Sequence, residues 1–165
     1  MNREELIKEI ENKNYLPETM TSLIKLIEKN GEIQAVYFDK QWKEMKQIEK
    51  LTCYIVTNRD FAVISVYPLE EEIQCDYTMC SLEKFIGMGE QASLLRITHV
   101  DPAYKENKMK RFEATVYFDV PEEELRKVAL TVHSQPKREE TAKAKNDLRA
   151  FLNELSEVTH RLSER

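Results

Sequence analysis

The sequence predicts an α+β fold: an N-terminal helical hairpin, an antiparallel β-sheet or partly open barrel of about six to seven strands, and a long C-terminal helix. Three observations predict it. Two runs rich in β-branched and aromatic residues flank a polar break in 51–67, residues 111–118 alternate between apolar and polar, and residues 138–163 carry one apolar seam. The β-rich stretches exclude a purely helical bundle.

The first 31 residues predict two helices. Apolar residues recur at helical spacing in two stretches, Leu6, Ile7 and Ile10, and then Met20, Leu23, Ile24 and Ile27. Asn14 breaks the first pattern, and Pro17 suits the first turn of the second helix. We expect Gly31 to end that helix, because glycine accepts the left-handed conformation that often follows a helix terminus.

The central stretch 32–135 predicts the β-rich body. A strand is expected at 32–38, and the hairpin places strands at 51–57 and 61–67 around the break Asn58-Arg59-Asp60. Both hairpin runs carry apolar residues on both parities, so we expect the hairpin to lie against a core. Residues 72–79 and 82–88 predict two further strands with weaker patterns, and residues 92–100 predict another strand.

Two patterns complete the chain. Residues 111–118 place Phe112, Ala114, Val116 and Phe118 on one face and polar residues between them, which is typical of a half-buried antiparallel strand. A last strand is predicted at 126–133. The helix at 138–163 has apolar residues at steps of three and four: Ala144, Leu148, Phe151, Leu155, Val158 and Leu162.

Length and composition predict one domain, divided into the helical hairpin (1–31), the β-rich body (32–135) and the C-terminal helix (136–165). The net charge of -5 argues against nucleic-acid binding. The odd number of cysteines, Cys53, Cys75 and Cys80, predicts reduced thiols in a soluble cytoplasmic protein. The N-terminus is charged from its third residue and no apolar run approaches the roughly 18 residues of a membrane span, so neither a signal peptide nor a transmembrane segment is expected.

The segment CYIVTNRDFAVI, residues 53–64, places a Thr-Asn-x turn between two strands. With the strand order and the long last helix, it resembles bacterial members of the pleckstrin-homology-like superfold and the related GRAM type, relative to which Asp60 is an insertion. The resemblance covers 32–163 and implies that the C-terminal helix caps one open end of a barrel. A helix-grip fold, another α+β sandwich and the acidic chaperones of secretion systems are alternatives.

Motifs for catalysis and metal binding are absent from the sequence. His99 and His133 end strand-like runs, but the Ser or Thr that two-histidine phosphoesterases need two residues later is replaced by Asp101 and Gln135. Cys75 and Cys80 are five apart, which is poor spacing for metal ligands. There is no glycine-rich phosphate loop. We therefore predict no catalytic residue, no metal and no cofactor.

Two basic clusters are the candidate contact residues. Trp42, Met45 and Ile48 recur every three residues, which fits a short amphipathic helix or an irregular edge. On a helix, Lys40, Lys43, Lys46 and Lys50 would fall within about 120° of arc beside that apolar face and could touch an anionic lipid surface or an acidic partner. Ordinary solvated lysines beside a packed Trp42 are the alternative. The second cluster is Lys105, Lys108, Lys110 and Arg111, in a loop of the kind where pleckstrin-homology domains often collect phosphate-binding charge.

These patterns predict a non-enzymatic interaction module that binds a protein partner or an anionic surface. A carrier or enzyme with an apolar cavity under the C-terminal helix is the alternative, and a secretion-type chaperone is another. A cavity of several hundred cubic ångströms under Phe151 and Leu155 would favour the carrier, whereas a filled interior would favour the interaction module. Peripheral membrane contact is not the favoured expectation, and a homodimer is left open.

Overall fold

The N-terminal segment is a helical hairpin, as predicted. The structure, a computed structural model, describes residues 1–68, 72–93 and 111–164, with backbone alone for 90–93, 111 and 112. Helix α1 (Arg3–Asn12) and helix α2 (Pro17–Glu28) open the chain. The side chain of Asn2 accepts a hydrogen bond from the backbone N–H of Glu5 and so caps α1.

Four strands form the first sheet. They are β1 (Ile33–Lys43), β2 (Gln47–Thr57), β3 (Asp60–Pro68) and β4 (Ile73–Ser81). Neighbouring strands are antiparallel and follow the chain order β1-β2-β3-β4. The predicted hairpin is therefore the centre of this sheet.

Three strands form the second sheet, in the order β5-β6-β7. They are β5 (Phe85–Ser93), β6 (Arg111–Phe118) and β7 (Lys127–Val132), again antiparallel. A 3-10 turn (Leu82–Lys84) joins β4 to β5, and a short helix α3 (Glu123–Arg126) precedes β7. The described strands thus make two sheets rather than one closed barrel.

The C-terminal helix α4 runs from Arg138 to Ser163, the predicted range. It packs against β1, β7 and the 3-10 turn. Its seam is buried at Leu148, Phe151, Leu155 and Val158, as predicted, and Leu152 joins it. Ala144 and Leu162 lie partly buried at the two ends of the same seam.

A first core lies between the two sheets and α4. The ring of Phe61 lies 4.9 Å from the ring of Phe118 and 6.4 Å from that of Phe151, centroid to centroid. The ring of Tyr37 lies 6.5 Å from Phe151. These large side chains fill the space beneath α4 with contacts between aromatic rings.

A second core lies on the other side of the four-stranded sheet, beneath α1 and α2. It consists of residues from the two helices and of strand residues that alternate along β1 to β3 with those of the first core: Leu6, Ile10, Met20, Ile24, Ile27, Val36, Phe38, Leu51, Cys53, Ile55, Ala62, Ile64 and Val66. Strands β1, β2 and β3 therefore contribute buried residues to a core on each face of the sheet, which explains why both hairpin runs are apolar on both parities.

Gly31 follows α2 for a reason other than the expected one. Its φ angle is not positive, so it is not a left-handed helix cap. A Cβ atom at Gly31 would instead lie 2.6 Å from Oδ1 of Asn58 and 2.8 Å from Oγ1 of Thr57. The glycine lets the end of the helical hairpin approach the β2–β3 turn, where the Asn58 side chain accepts a hydrogen bond from the backbone N–H of Glu32 at 2.9 Å.

Three expected elements differ from the structure. The predicted strand 82–88 begins with the 3-10 turn, and β5 starts only at Phe85. The strand at 32–38 extends to Lys43. The predicted strand 92–100 falls largely outside the described residues, apart from the end of β5 at 92–93.

Candidate functional site

The segment 40–50 is a β-hairpin, so its interpretation as an amphipathic helix is wrong. β1 continues to Lys43, a turn follows, and β2 begins at Gln47. The pairing of the two strands shifts between Gln41 and Trp42, so the edge of the sheet is irregular here. Glu44 and Met45 in the turn both have positive φ angles, 54° and 58°.

The four lysines of the first basic cluster do not share one face. Nζ of Lys40 lies 3.0 Å from Oε1 of Glu9 on α1, so its charge is paired. Nζ of Lys50 lies 5.1 Å from the centroid of the Tyr67 ring, a cation–π contact. Lys43 and Lys46 are exposed at the tip of the hairpin. Only these two remain available to an outside anion among the predicted four.

The second basic cluster cannot be placed. Lys105, Lys108 and Lys110 lie outside the described residues, and only the backbone of Arg111 is described, at the start of β6.

Trp42 is tied to the chain segment that leads into α4. Its indole N–H donates to Oε1 of Gln135 at 2.9 Å. The amide nitrogen of Gln135 donates in turn to the carbonyl oxygens of Lys40, at 2.8 Å, and of His133, at 3.0 Å. The buried Gln135 therefore holds β1 against the end of β7, and all its side-chain polar atoms act in that network.

Asp39 and His133 form a second link at the same place. Nδ1 of His133 lies 2.7 Å from Oδ2 of Asp39, and Asp39 is a buried residue of β1. A carboxylate held out of water needs such a partner, because its desolvation is otherwise costly. The two residues lie 94 positions apart in the chain.

An open cleft of about 470 Å³ lies beside this network, between α1, β1 and the start of α4. We call it the Trp42 cleft. Its lining residues come from segment 1–15, from β1 and from segment 135–147: Met1, Glu9, Lys13, Tyr15, Phe38, Asp39, Lys40, Trp42, Gln135, Pro136, Lys137, Glu140, Lys143, Ala144 and Asp147. Charges of both signs are therefore distributed around it.

The Trp42 cleft is lined by both aromatic rings and ion pairs. The rings of Tyr15 and Phe38 are tilted against each other with centroids 5.9 Å apart. Nζ of Lys143 lies 3.0 Å from Oδ2 of Asp147, four residues later on α4. Burial, with Glu9 and Glu140 nearby, raises the pKa of Tyr15, so its hydroxyl stays neutral in ordinary buffers.

Four clefts lie along the described part of α4 or at the β2–β3 turn, and neither Phe151 nor Leu155 lines any of these four. Phe151 is only 1% exposed. The interior that a carrier would need as a cavity is occupied by side chains.

In the part of the chain that is described, no three or more His, Cys, Asp or Glu side chains lie close enough together to hold a metal ion. The cysteines are unpaired, as predicted, with Cys53 and Cys80 buried and Cys75 half-buried. His160 lies near Glu164 on the exposed side of α4. His99 lies outside the described residues.

Sequence reasoning missed most of the Trp42 cleft. The sequence shows Gln135 only as a departure from the two-histidine phosphoesterase motif, and no motif indicates Glu9, Asp39 or Tyr15. The signal for Asp39 was present, because it is a charged residue that directly follows the apolar run Val36-Tyr37-Phe38. Nothing local in the sequence indicates its partner.

Comparison of the chain with protein-family models, curated proteins and solved structures found no match in any of the three. Among the described helices, none is long and apolar enough to cross a membrane.

Proposed function

We propose that this chain is a non-enzymatic interaction module that binds a protein partner at the Trp42 cleft. The observation that carries the proposal is the contrast between two places along α4. Beneath the helix the space is filled around Phe151, while beside its first turns an aromatic cleft stays open to solvent. A module of this kind works through its surface and needs no internal cavity.

The chemistry of the cleft favours a protein over a small ligand. Protein interfaces combine an aromatic centre with a polar rim, and aromatic side chains dominate their binding energy. Tyr15, Phe38 and Trp42 supply the centre, and ion pairs such as Lys40–Glu9 supply the rim. No buried side-chain nitrogen or oxygen in the described residues lacks a hydrogen-bond partner, so none waits for a small molecule to satisfy it.

The pleckstrin-homology-like resemblance of the sequence would suit an interaction module. The described chain has seven strands in two sheets followed by α4. The helical hairpin α1–α2 lies outside the resemblance, yet it contributes Glu9, Lys13 and Tyr15 to the cleft. We infer that the N-terminal helices adapt the surface for one partner.

The experiment is an affinity capture from a lysate of the source cell with wild-type protein and two variants. Trp42→Ala should lose the captured partner, because it removes the largest ring of the cleft. Tyr117→Ala is the matched control, since Tyr117 is an aromatic residue 38% exposed on β6, in the other sheet. Retention of the same proteins by both variants, with both folded, would refute the Trp42 cleft as the binding site.

An anionic surface is a second candidate, carried by the tip of the β1–β2 hairpin. Lys43 and Lys46 are exposed there, and Met45 between them is 46% exposed. The backbone N–H of Lys46 donates to the carbonyl of Lys43 at 3.1 Å, and a turn closed in this way with positive φ at both central residues favours Asn-Gly. Glu44 and Met45 adopt those angles without being glycine, and backbone strain of this kind often marks a functional position.

A further inference from the structure

The edge strands of the two sheets differ in whether other parts of the chain hydrogen-bond to their outer backbone groups. On β1, the backbone N–H of Val36 donates to the carbonyl of Met1 at 3.0 Å, and the Gln135 amide donates to the carbonyl of Lys40 at 2.8 Å. The backbone of Met1 and the side chain of Gln135 therefore cover part of the outer edge of β1. This covering matters because an uncovered edge strand is a template for pairing with another chain.

The outer edge of β7 is covered in the same way, by tyrosines from the other sheet. The hydroxyl of Tyr37 donates to the carbonyl of Thr131 at 2.9 Å, and the hydroxyl of Tyr54 donates to that of Ala129 at 3.4 Å. Tyrosine side chains of β1 and β2 thus satisfy two carbonyl groups of β7, and Gln135, just beyond β7, satisfies the carbonyl of Lys40 on β1.

β4, the opposite edge of the four-stranded sheet, receives no such cover from the described residues. It pairs with β3 in one unbroken register, from Asp60 opposite Ser81 to Pro68 opposite Ile73. No backbone or side-chain hydrogen bond from another described element reaches its second edge. Ile73 at its start is 53% exposed.

The sequence of β4 carries few of the devices that normally protect an edge. Proteins blunt exposed edges with lysine, proline, charged side chains or a bulge. The nine residues IQCDYTMCS contain one charge, Asp76, and neither lysine nor proline. The pairing with β3 contains no bulge. A regular edge of this kind suits an added strand.

We propose that β4 pairs with β4 of a second copy of this chain, antiparallel about a two-fold axis at Tyr77. Tyr77 is the midpoint of Ile73–Ser81, so this register pairs all nine residues. It places Asp76 of each copy opposite Thr78 of the other, whose hydroxyl can donate to the carboxylate. An axis at Asp76 would set two carboxylates directly opposite each other, which destabilises a strand pair.

In the resulting dimer one sheet is continuous through both copies. We expect the two copies to associate weakly. Pairing along a single strand edge buries less than the roughly 1,200 Å² at the lower end of stable interfaces. We therefore expect a concentration-dependent equilibrium in the micromolar range rather than a permanent dimer. This inference is independent of the Trp42 cleft, which lies at the β1 edge of the sheet.

The test is sedimentation equilibrium of the full chain over a range of concentrations, read as the dissociation constant of the dimer. The wild type should approach twice its 19.5 kDa mass at high concentration. Thr78→Asp places two carboxylates opposite each other twice in the dimer and should weaken it about tenfold, while Thr78→Lys places an ammonium opposite Asp76 and should strengthen it.

A rescue variant separates pairing from folding. Thr78→Asp combined with Asp76→Asn removes the repulsion and should restore the wild-type dissociation constant, whereas a folding defect at position 78 would persist. Thermal unfolding of dilute protein checks that each variant is folded. A monomer at every concentration, or the same direction of change for Thr78→Asp and Thr78→Lys, would overturn the proposal.

Discussion

Nδ1 of His133 lies 2.7 Å from Oδ2 of Asp39, and this contact ties the residue after β7 to the middle of β1. With the Trp42–Gln135 hydrogen bond, it is where the second sheet and the start of α4 are held to the edge of the first sheet. The wall of the Trp42 cleft therefore depends on a polar link rather than on the apolar core.

Replacing Asp39 with Ala should lower the free energy of unfolding by about 1.5–3 kcal/mol, because a buried hydrogen bond to a charged group is lost. Chemical unfolding in urea measures it. Glu28→Ala is the control, since the Arg3–Glu28 pair is at the surface, with 41% and 29% of its side chains exposed, and should contribute less than about 1 kcal/mol. Equal losses would mean that the Asp39–His133 contact is no stronger than a surface pair.

Replacing Phe151 with Ala should cost about 3–5 kcal/mol, because its ring is buried between the sheets and leaves a cavity. The control is Glu157→Ala, an exposed position on the same helix, where the substitution removes no buried side chain. The comparison is made by urea unfolding. A change below 1 kcal/mol for Phe151→Ala would show that the seam of α4 is not part of the core.

Replacing Gly31 with Ala should destabilise the chain by about 1–3 kcal/mol, because the new methyl group meets Oδ1 of Asn58 at 2.6 Å. A double-mutant cycle with Asn58 measures how much of this loss of stability comes from the contact between the two residues. In an Asn58→Ala background the contact with Oδ1 is removed, while the contact with Oγ1 of Thr57 at 2.8 Å stays, so the Gly31→Ala cost should shrink only in part. An undiminished cost would assign the clash to Thr57 rather than to Asn58.

The regular elements were predictable because their patterns are local. The seam of α4 and the alternation of 111–118 gave those elements at their observed boundaries. The segment 40–50 was predicted to be an amphipathic helix or an irregular edge, and the helix was wrong for an instructive reason. Trp42 and Ile48 pair across the hairpin with Met45 at its tip, so a turn placed between two strands produces the same three-residue spacing as a helix.

The Trp42 cleft was not predictable from local pattern, because its contacts are long-range. Gln135 is 93 residues from Trp42 and 95 from Lys40. A single polar residue after a strand has many equally plausible roles until the fold brings it to a partner. The edge strand β4 is a second example. The sequence shows that this strand contains a single charge, but it does not show that the strand lies at the edge of a sheet.

The three thiols should react in the order of their burial. Burial raises the pKa of Cys75, and it raises the pKa of Cys80, with Asp60 and Glu122 nearby, to about 12. Cys53 is fully buried and its pKa is also raised by burial. Titration with a thiol reagent near pH 8 should therefore modify Cys75 first and reach three thiols per chain only after unfolding.

The same shifts predict a loss of stability in alkali. Each thiol has a higher pKa in the folded chain than in the unfolded chain, so its contribution is complete below about pH 8.5, the usual thiol pKa, and declines as the pH rises above it. Unfolding in urea at pH 7, 9 and 10 should show this fall. Replacing Cys53 with Ala should flatten the fall, and an unchanged slope would assign the loss to other groups.

The last prediction concerns the hairpin tip, where Lys43 and Lys46 are exposed. Each lysine near an anionic membrane contributes about 1 kcal/mol, so two give about 2 kcal/mol, which is weaker than millimolar binding before Met45 adds apolar contact. Recovery with anionic vesicles should therefore be small, absent with neutral vesicles and lost at physiological salt, because charges beyond about 8 Å are screened there. Vesicle co-sedimentation measures it.

Two variants decide whether the tip itself makes that contact. Lys43→Glu with Lys46→Glu should abolish recovery, whereas the same reversal at Lys25 and Lys29, both exposed near the end of α2, should not. Equal loss for both pairs would assign the attraction to net charge alone. Replacing Glu44-Met45 by Asn-Gly keeps the turn and suits its positive φ angles, so stability should rise while the Met45 contact disappears. Unchanged recovery in that variant would show that the lysines act without Met45.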